Sequence, residues 1–115
     1  MANTICHFEI GARDYAKLKD FYSKVFAWRF ERGGSGDEVI RTGHDIGGHL
    51  HVREQGPRNY TVFYIMVDDV PAAIQRAQAA GGKVVLGPEK EGKAGMYAWI
   101  ADPEGNVVGV YTHKE

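Results

Sequence analysis

Cysteine is almost absent from this chain. Cys6 stands alone among 115 residues, so no disulfide can staple the fold, and a reducing compartment suits the protein. Nothing near Cys6 lowers its pKa, and it reads as a small strand residue rather than a nucleophile. An excess of one charge is also missing. Fourteen Lys and Arg offset fifteen Asp and Glu, giving a formal charge of -1 and no basic run to follow a nucleic-acid backbone. No apolar run is long enough to span a bilayer, and the first residues carry no signal-peptide pattern. The expectation is a cytoplasmic protein with neither nucleic acid nor membrane as partner.

What is plentiful is glycine, at 15 residues, which signals many turns in a chain of one-domain length. The clearest local structure is Tyr97 to Tyr111, two strand-like runs joined by Asp-Pro-Glu-Gly-Asn. Pro103 presets φ, Gly105 accepts positive φ, and Asp102 and Asn106 can bond their own backbone, so this stretch reads as a hairpin.

Earlier residues follow the same logic. Thr4 to Ile10 alternates as a strand. Asp14 caps a helix whose Leu18, Phe21, Tyr22 and Val25 form one apolar face. Trp28–Arg32, Glu38–Arg41 and His49–Arg53 read as strands, with Gly33–Gly36 as a flexible connector and Trp28 in the helix–sheet core. After a polar link at 54–59, Tyr60–Val67 is a strand, and a helix follows Asp68-Asp69 with Pro71 in its first turn. Val70, Ala73, Ile74 and Ala77 are its stripe, and Gly81-Gly82 ends it. Lys83–Leu86 is a strand. Gly87–Gly95 reads as a charged, glycine-rich connection, or as a lid.

The order is therefore βαβββ twice, a repeated supersecondary unit. It predicts an α+β fold in a single domain, with module one at 1–55 and module two at 58–115. One sheet face of each module covers its helix, and the other faces a cleft. Alternation puts His7, Glu9, His49 and His51 on that face in module one. In module two it puts Val62, Tyr64, Met66, Val107, Gly109 and Tyr111 there. His44 and His113 fall in a loop and a tail.

Several stretches together resemble the vicinal oxygen chelate superfamily, the glyoxalase, bleomycin-resistance and extradiol dioxygenase group. They are Ile5-Cys6-His7-Phe8-Glu9-Ile10, Asp20 to Trp28, Val67-Asp68-Asp69-Val70, Ala80 to Val84, and Ala101 to Val107. The resemblance implies paired βαβββ modules forming an open half-barrel, often in homodimers. It also implies a divalent ion, in the metal-using members, held by four strand residues: His or Glu, Glu, His and Glu. These positions map onto His7, His51 (or His49, two residues away), Val62 and Gly109. Val62 and Gly109 have no donor side chain, so two of the four ligands are gone.

A glyoxalase I reaction needs a metal-bound oxygen and a carboxylate base, and Glu9 is the one carboxylate that alternation places in the cleft. The sequence thus argues against standard glyoxalase I activity. It points to a protein that binds a small organic molecule through His7, Glu9, His49, His51, Tyr64 and Tyr111, with no cofactor and no assigned catalytic residue. The alternative is a metal-dependent lyase, isomerase or dioxygenase with a non-standard His-rich site. There His7 and His51 would hold Ni, Zn, Fe or Mn.

Overall fold

The computed structural model describes residues 2–33 and 36–113. In chain order it contains β1 (Ile5–Gly11), α1 (Tyr15–Phe26), β2 (Arg29–Arg32), β3 (Glu38–Arg41), β4 (Gly48–His51), β5 (Thr61–Met66), α2 (Val70–Ala79), β6 (Lys83–Glu91), β7 (Gly95–Ala101) and β8 (Val107–His113). The mixed α/β class and the doubled βαβββ order are as the sequence predicts. Gly34 and Ser35, in the expected connector, lie outside the described residues. Among the described residues no helix is long and apolar enough to cross a membrane.

The chain forms two compact units. One is 7–62, and the other joins 2–6 to 63–113. In the first unit the strand order is β2-β3-β4-β1. β1 and β4 run parallel, with Phe8 opposite Gly48, Glu9 opposite His49, Ile10 opposite Leu50 and Gly11 opposite His51. β2–β3 and β3–β4 are antiparallel. Ile10, Ala12, Ile40 and Leu50 form the core, and Trp28 packs on it as expected, stacked on Tyr22 at 5.3 Å between ring centroids.

The second unit repeats the plan with the order β5-β8-β7-β6. β5 and β8 are parallel, with Tyr64 opposite Gly109. The predicted hairpin joins β7 to β8, paired from Ala101–Val107 to Gly95–His113. Its turn is held by Asp102, whose carboxylate accepts from the Glu104 and Asn106 backbone N–H groups and from Asn106 Nδ2, each at 2.9 Å. Gly105 has φ +93° there, as the turn requires.

Two sequence expectations need correction. The Gly87–Gly95 connection is mostly strand, because β6 continues to Glu91 and only a short turn precedes Gly95. Register shifts at Val84/Leu86 and Leu86/Glu89 absorb Gly87 and Pro88, after which Glu89, Lys90 and Glu91 pair with Tyr97, Met96 and Gly95. These bulges break the alternation that would have revealed the strand, and they leave no loop long enough for a lid.

The second correction concerns α1. Asp14 caps it as predicted, accepting from Lys17 N–H at 3.3 Å, but none of its residues is buried. Leu18 and Tyr22 reach the core, while Phe21 and Val25 remain about half exposed. Its counterpart α2, capped by Asp69, buries Val70, Ala73 and Ile74 against Val67, Ala98 and Val110. The two helices therefore differ in how much they contribute to stability. Urea unfolding should show Ile74→Ala costing about 2–4 kcal/mol, the range for a large buried aliphatic. Phe21→Ala should cost less than about 1 kcal/mol, as expected for a residue that fills no core space.

Candidate functional site

Parallel pairing of β1 with β4 decides where the first unit's chemistry sits. Glu9 and His49 occupy one register position and point to the same face, so their side chains meet. Glu9 is only 5% exposed. A buried carboxylate needs partners, and Glu9 has one for each oxygen. His49 Nε2 lies 2.8 Å from Oε1, and the Tyr60 hydroxyl donates to Oε2. Tyr60 gets that close because Gly11 has no side chain; a Cβ there would stand 2.8 Å from the Tyr60 ring. The Asp37 carboxylate is 3.9 Å from the same His49 nitrogen, and the His7 ring lies 5.5 Å from the His49 ring.

The electrostatics follow from burial and charge. Burial pushes the Glu9 carboxyl up, but the His49 hydrogen bond and charge, the Tyr60 hydrogen bond and the more distant His51 outweigh it. The net result is a carboxyl below its ordinary value. Burial and the neighbouring His49 charge push His7 down to about 4, against a smaller opposing pull from Glu9. The Tyr60 hydroxyl is pushed up by burial, then by its bond to Glu9 and by the Glu9 charge. At neutral pH the cluster is thus an ionised, fully engaged carboxylate beside a neutral His7 imidazole, a group able to accept or donate a hydrogen bond.

Of the sequence-predicted residues, His7, Glu9 and His49 come together, and His51 bears on Glu9 through charge alone. Tyr60 was missed as a site residue. Its aromatic ring opening the strand after a polar link gave no sign of a carboxylate partner 51 residues earlier.

In the second unit, Tyr64 and Gly109 share a register position. The Tyr64 ring lies directly on Gly109, so that a Cβ at 109 would stand 2.3 Å from Cδ1. Tyr64 is 2% exposed, and its hydroxyl accepts from Trp99 Nε1 at 2.9 Å. Tyr97 and Tyr111 stand edge-on to it, with centroids 6.1 and 6.5 Å away. Both are half-buried, and the Tyr111 hydroxyl lies 3.0 Å from His113 Nδ1.

The comparisons with known proteins agree with this architecture. The family model of the Glyoxalase/Bleomycin resistance protein/Dioxygenase superfamily matches residues 4–110. A glyoxylase-like domain-containing protein of Didymella fabae is 30% identical, over 94% of this chain and 92% of its own. The anthracycline biosynthesis protein DnrV of Streptomyces peucetius is also 30% identical, over 90% of this chain and 45% of its own. The protein CFP32 of Mycobacterium tuberculosis is 28% identical over 90% of this chain, which spans 43% of that relative's length. Among solved structures, hypothetical protein BH1468 from Bacillus halodurans superposes with a TM-score of 0.70 at 16% identity, covering 100% of this chain and 97% of its own. A Streptomyces coelicolor methylmalonyl-CoA epimerase gives 0.65 at 14% identity, covering 97% of this chain and 95% of its own. These structural likenesses establish the fold.

The four-ligand ion of metal-using members does not fit the residues present. Val62 offers no donor, and the space an acid at 109 would enter holds the Tyr64 ring. Among the described residues, no group of three or more His, Cys, Asp or Glu is placed to hold a metal.

Two predictions follow from this geometry. Gly109→Ala should destabilise the protein by about 1–3 kcal/mol through overpacking, and much of that loss should vanish in a Tyr64→Ala background, as a double-mutant cycle in urea would show. The second concerns pH. The unfolded chain protonates His7 near 6.5, whereas the folded chain does so only near 4, so stability falls as pH drops through that window. Glu9, with its lowered folded pKa, adds stability above its unfolded value that acid also removes. Melting temperature should decline from pH 6.5 to pH 4, and His7→Gln should flatten that slope.

Proposed function

The chain belongs to the Glyoxalase/Bleomycin resistance protein/Dioxygenase superfamily, and from that premise we propose that it binds a small organic molecule without the superfamily's metal centre. The observation that carries this reading is the Tyr64 ring seated on Gly109. The buried ring takes the space beside that strand position and backs the half-buried Tyr97 and Tyr111, the kind of aromatic wall small-molecule sites carry with a few placed polar groups.

In this reading Tyr111 and Tyr97 provide aromatic surface, with Tyr64 locked beneath them by Gly109 and Trp99. In the other unit, His7 beside His49 is a separate polar candidate for contact with a ligand. Glu9 is committed to His49 and Tyr60, so it orients His49 rather than taking a proton from substrate. A second copy of the chain, as in many superfamily members, is the expected partner. The rival reading is metal-dependent chemistry through His7 and His51.

One experiment separates the two readings. Untagged protein is subjected to elemental analysis and then titrated with Ni²⁺, Zn²⁺, Fe²⁺ and Mn²⁺ while thermal stability is followed. The expected result is no stoichiometric ion and no stabilisation. A small-molecule screen read by aromatic fluorescence should then give hits that weaken in Tyr111→Ala or in His7→Ala, according to the unit that binds them. A stoichiometric ion lost in His51→Ala would overturn the metal-free reading, and a screen without hits would overturn the binding reading.

A further inference from the structure

The first unit carries a second feature that the proposed function does not use. Arg29 on β2 and Arg41 on β3 are direct cross-strand partners in an antiparallel pair. Their side chains therefore leave the same face side by side, and like charges so placed destabilise a sheet. Arg41 has partial relief from Glu31, whose Oε2 lies 3.3 Å from its guanidinium, with both side chains more than half exposed. Arg29 has no hydrogen-bond or ion-pair partner for its guanidinium among the described residues. Both arginines line a hollow of about 430 Å³ together with the loop residues Thr42, His44 and Asp45. Asp45 puts one carboxylate in that rim, but it is 94% exposed and lies 3.9 Å from His44, so nothing fixes it toward the arginines.

Strand register also says where this hollow lies. Val39 pairs with His49, and Ile40 pairs with Gly48. Continuing by one residue sets Arg41 beside Gly47. Phe8 pairs with Gly48, and its N–H donates to Gly47 O at 3.2 Å, so the same step sets Gly47 beside His7. Arg29, Arg41, Gly47 and His7 thus form one row across the face that carries Glu9 and His49. Gly47 places no side chain between the arginines and His7.

From this arrangement we propose that Arg29 and Arg41 form an oxyanion site that takes a phosphate group. Two guanidinium groups side by side present paired N–H donors that match phosphate oxygens. A bound dianion would also relieve the repulsion that the register imposes. The phosphate is either free or part of a larger molecule. The inference goes beyond the small-molecule reading and does not require it, because phosphate alone is the probe.

The test uses the full chain. Inorganic phosphate and phenyl phosphate are titrated at ionic strength held constant with sodium chloride, and thermal stability is read for wild type, Arg29→Gln and Arg41→Gln. Wild type should gain stability in either ligand, and each variant should bind at least ~tenfold more weakly. Without phosphate, Arg29→Gln should melt at or above wild type, since it removes a like-charge pair. That readout separates a ligand-binding arginine from a structural one. Equal affinity for the two probes assigns the site to free phosphate, and tighter phenyl phosphate assigns it to a phosphorylated small molecule. Three results would overturn the proposal: no stabilisation beyond chloride, stabilisation retained in Arg29→Gln, or an Arg29→Gln protein that melts well below wild type without phosphate.

Discussion

Each module of this protein is organised by one constraint, the parallel pairing of its first strand with its last. A parallel pair cannot be closed by a tight turn, so the chain between must travel out and back. Here it does so through a helix and two more strands, which gives the βαβββ unit. The same pairing fixes the chemistry. In one unit it sets Glu9 beside His49, and in the other Tyr64 beside Gly109. A slip of one residue would turn both pairs to opposite faces and dismantle both clusters.

The two clusters solve different problems of burial. Glu9 is a charge withdrawn from water, and it is tolerated because His49 and Tyr60 occupy both oxygens. Tyr64 is a large ring with one polar atom, accommodated by a glycine beneath and a Trp99 donor at its tip. Both are finished arrangements, with no unsatisfied polar side-chain atom buried among the described residues. Beside the Glu9 cluster, His7 is kept neutral by burial and by the neighbouring His49.

Much of this was legible in the sequence. Alternation put His7, Glu9, His49 and His51 on one face, and the turn chemistry of Asp102 to Asn106 located the last hairpin. The cap at Asp14 and the start of the second helix at Asp68-Asp69 were visible because a carboxylate just before an apolar periodicity has few other uses. What failed was any inference that needed more than local periodicity. Gly87 and Pro88 look like a break, yet bulges carry β6 past them. The stripe on α1 has the right period, but nothing in that spacing says how closely the sheet approaches, and Phe21 and Val25 stay exposed. The Tyr60–Glu9 contact joins residues 51 positions apart, and it depends on the missing side chain of Gly11.

The Tyr64–Gly109 contact also bears on how this chain could change. Placing a carboxylate at 109 takes more than one substitution, because any side chain there meets the ring first. Removing the ring alone strips Trp99 Nε1 of its acceptor and opens a cavity in the sheet. Each single step lowers stability, and only the two together restore room for a ligand. The pair therefore acts as a ratchet in sequence space, each member held in place by the epistasis of one aromatic ring and one absent side chain.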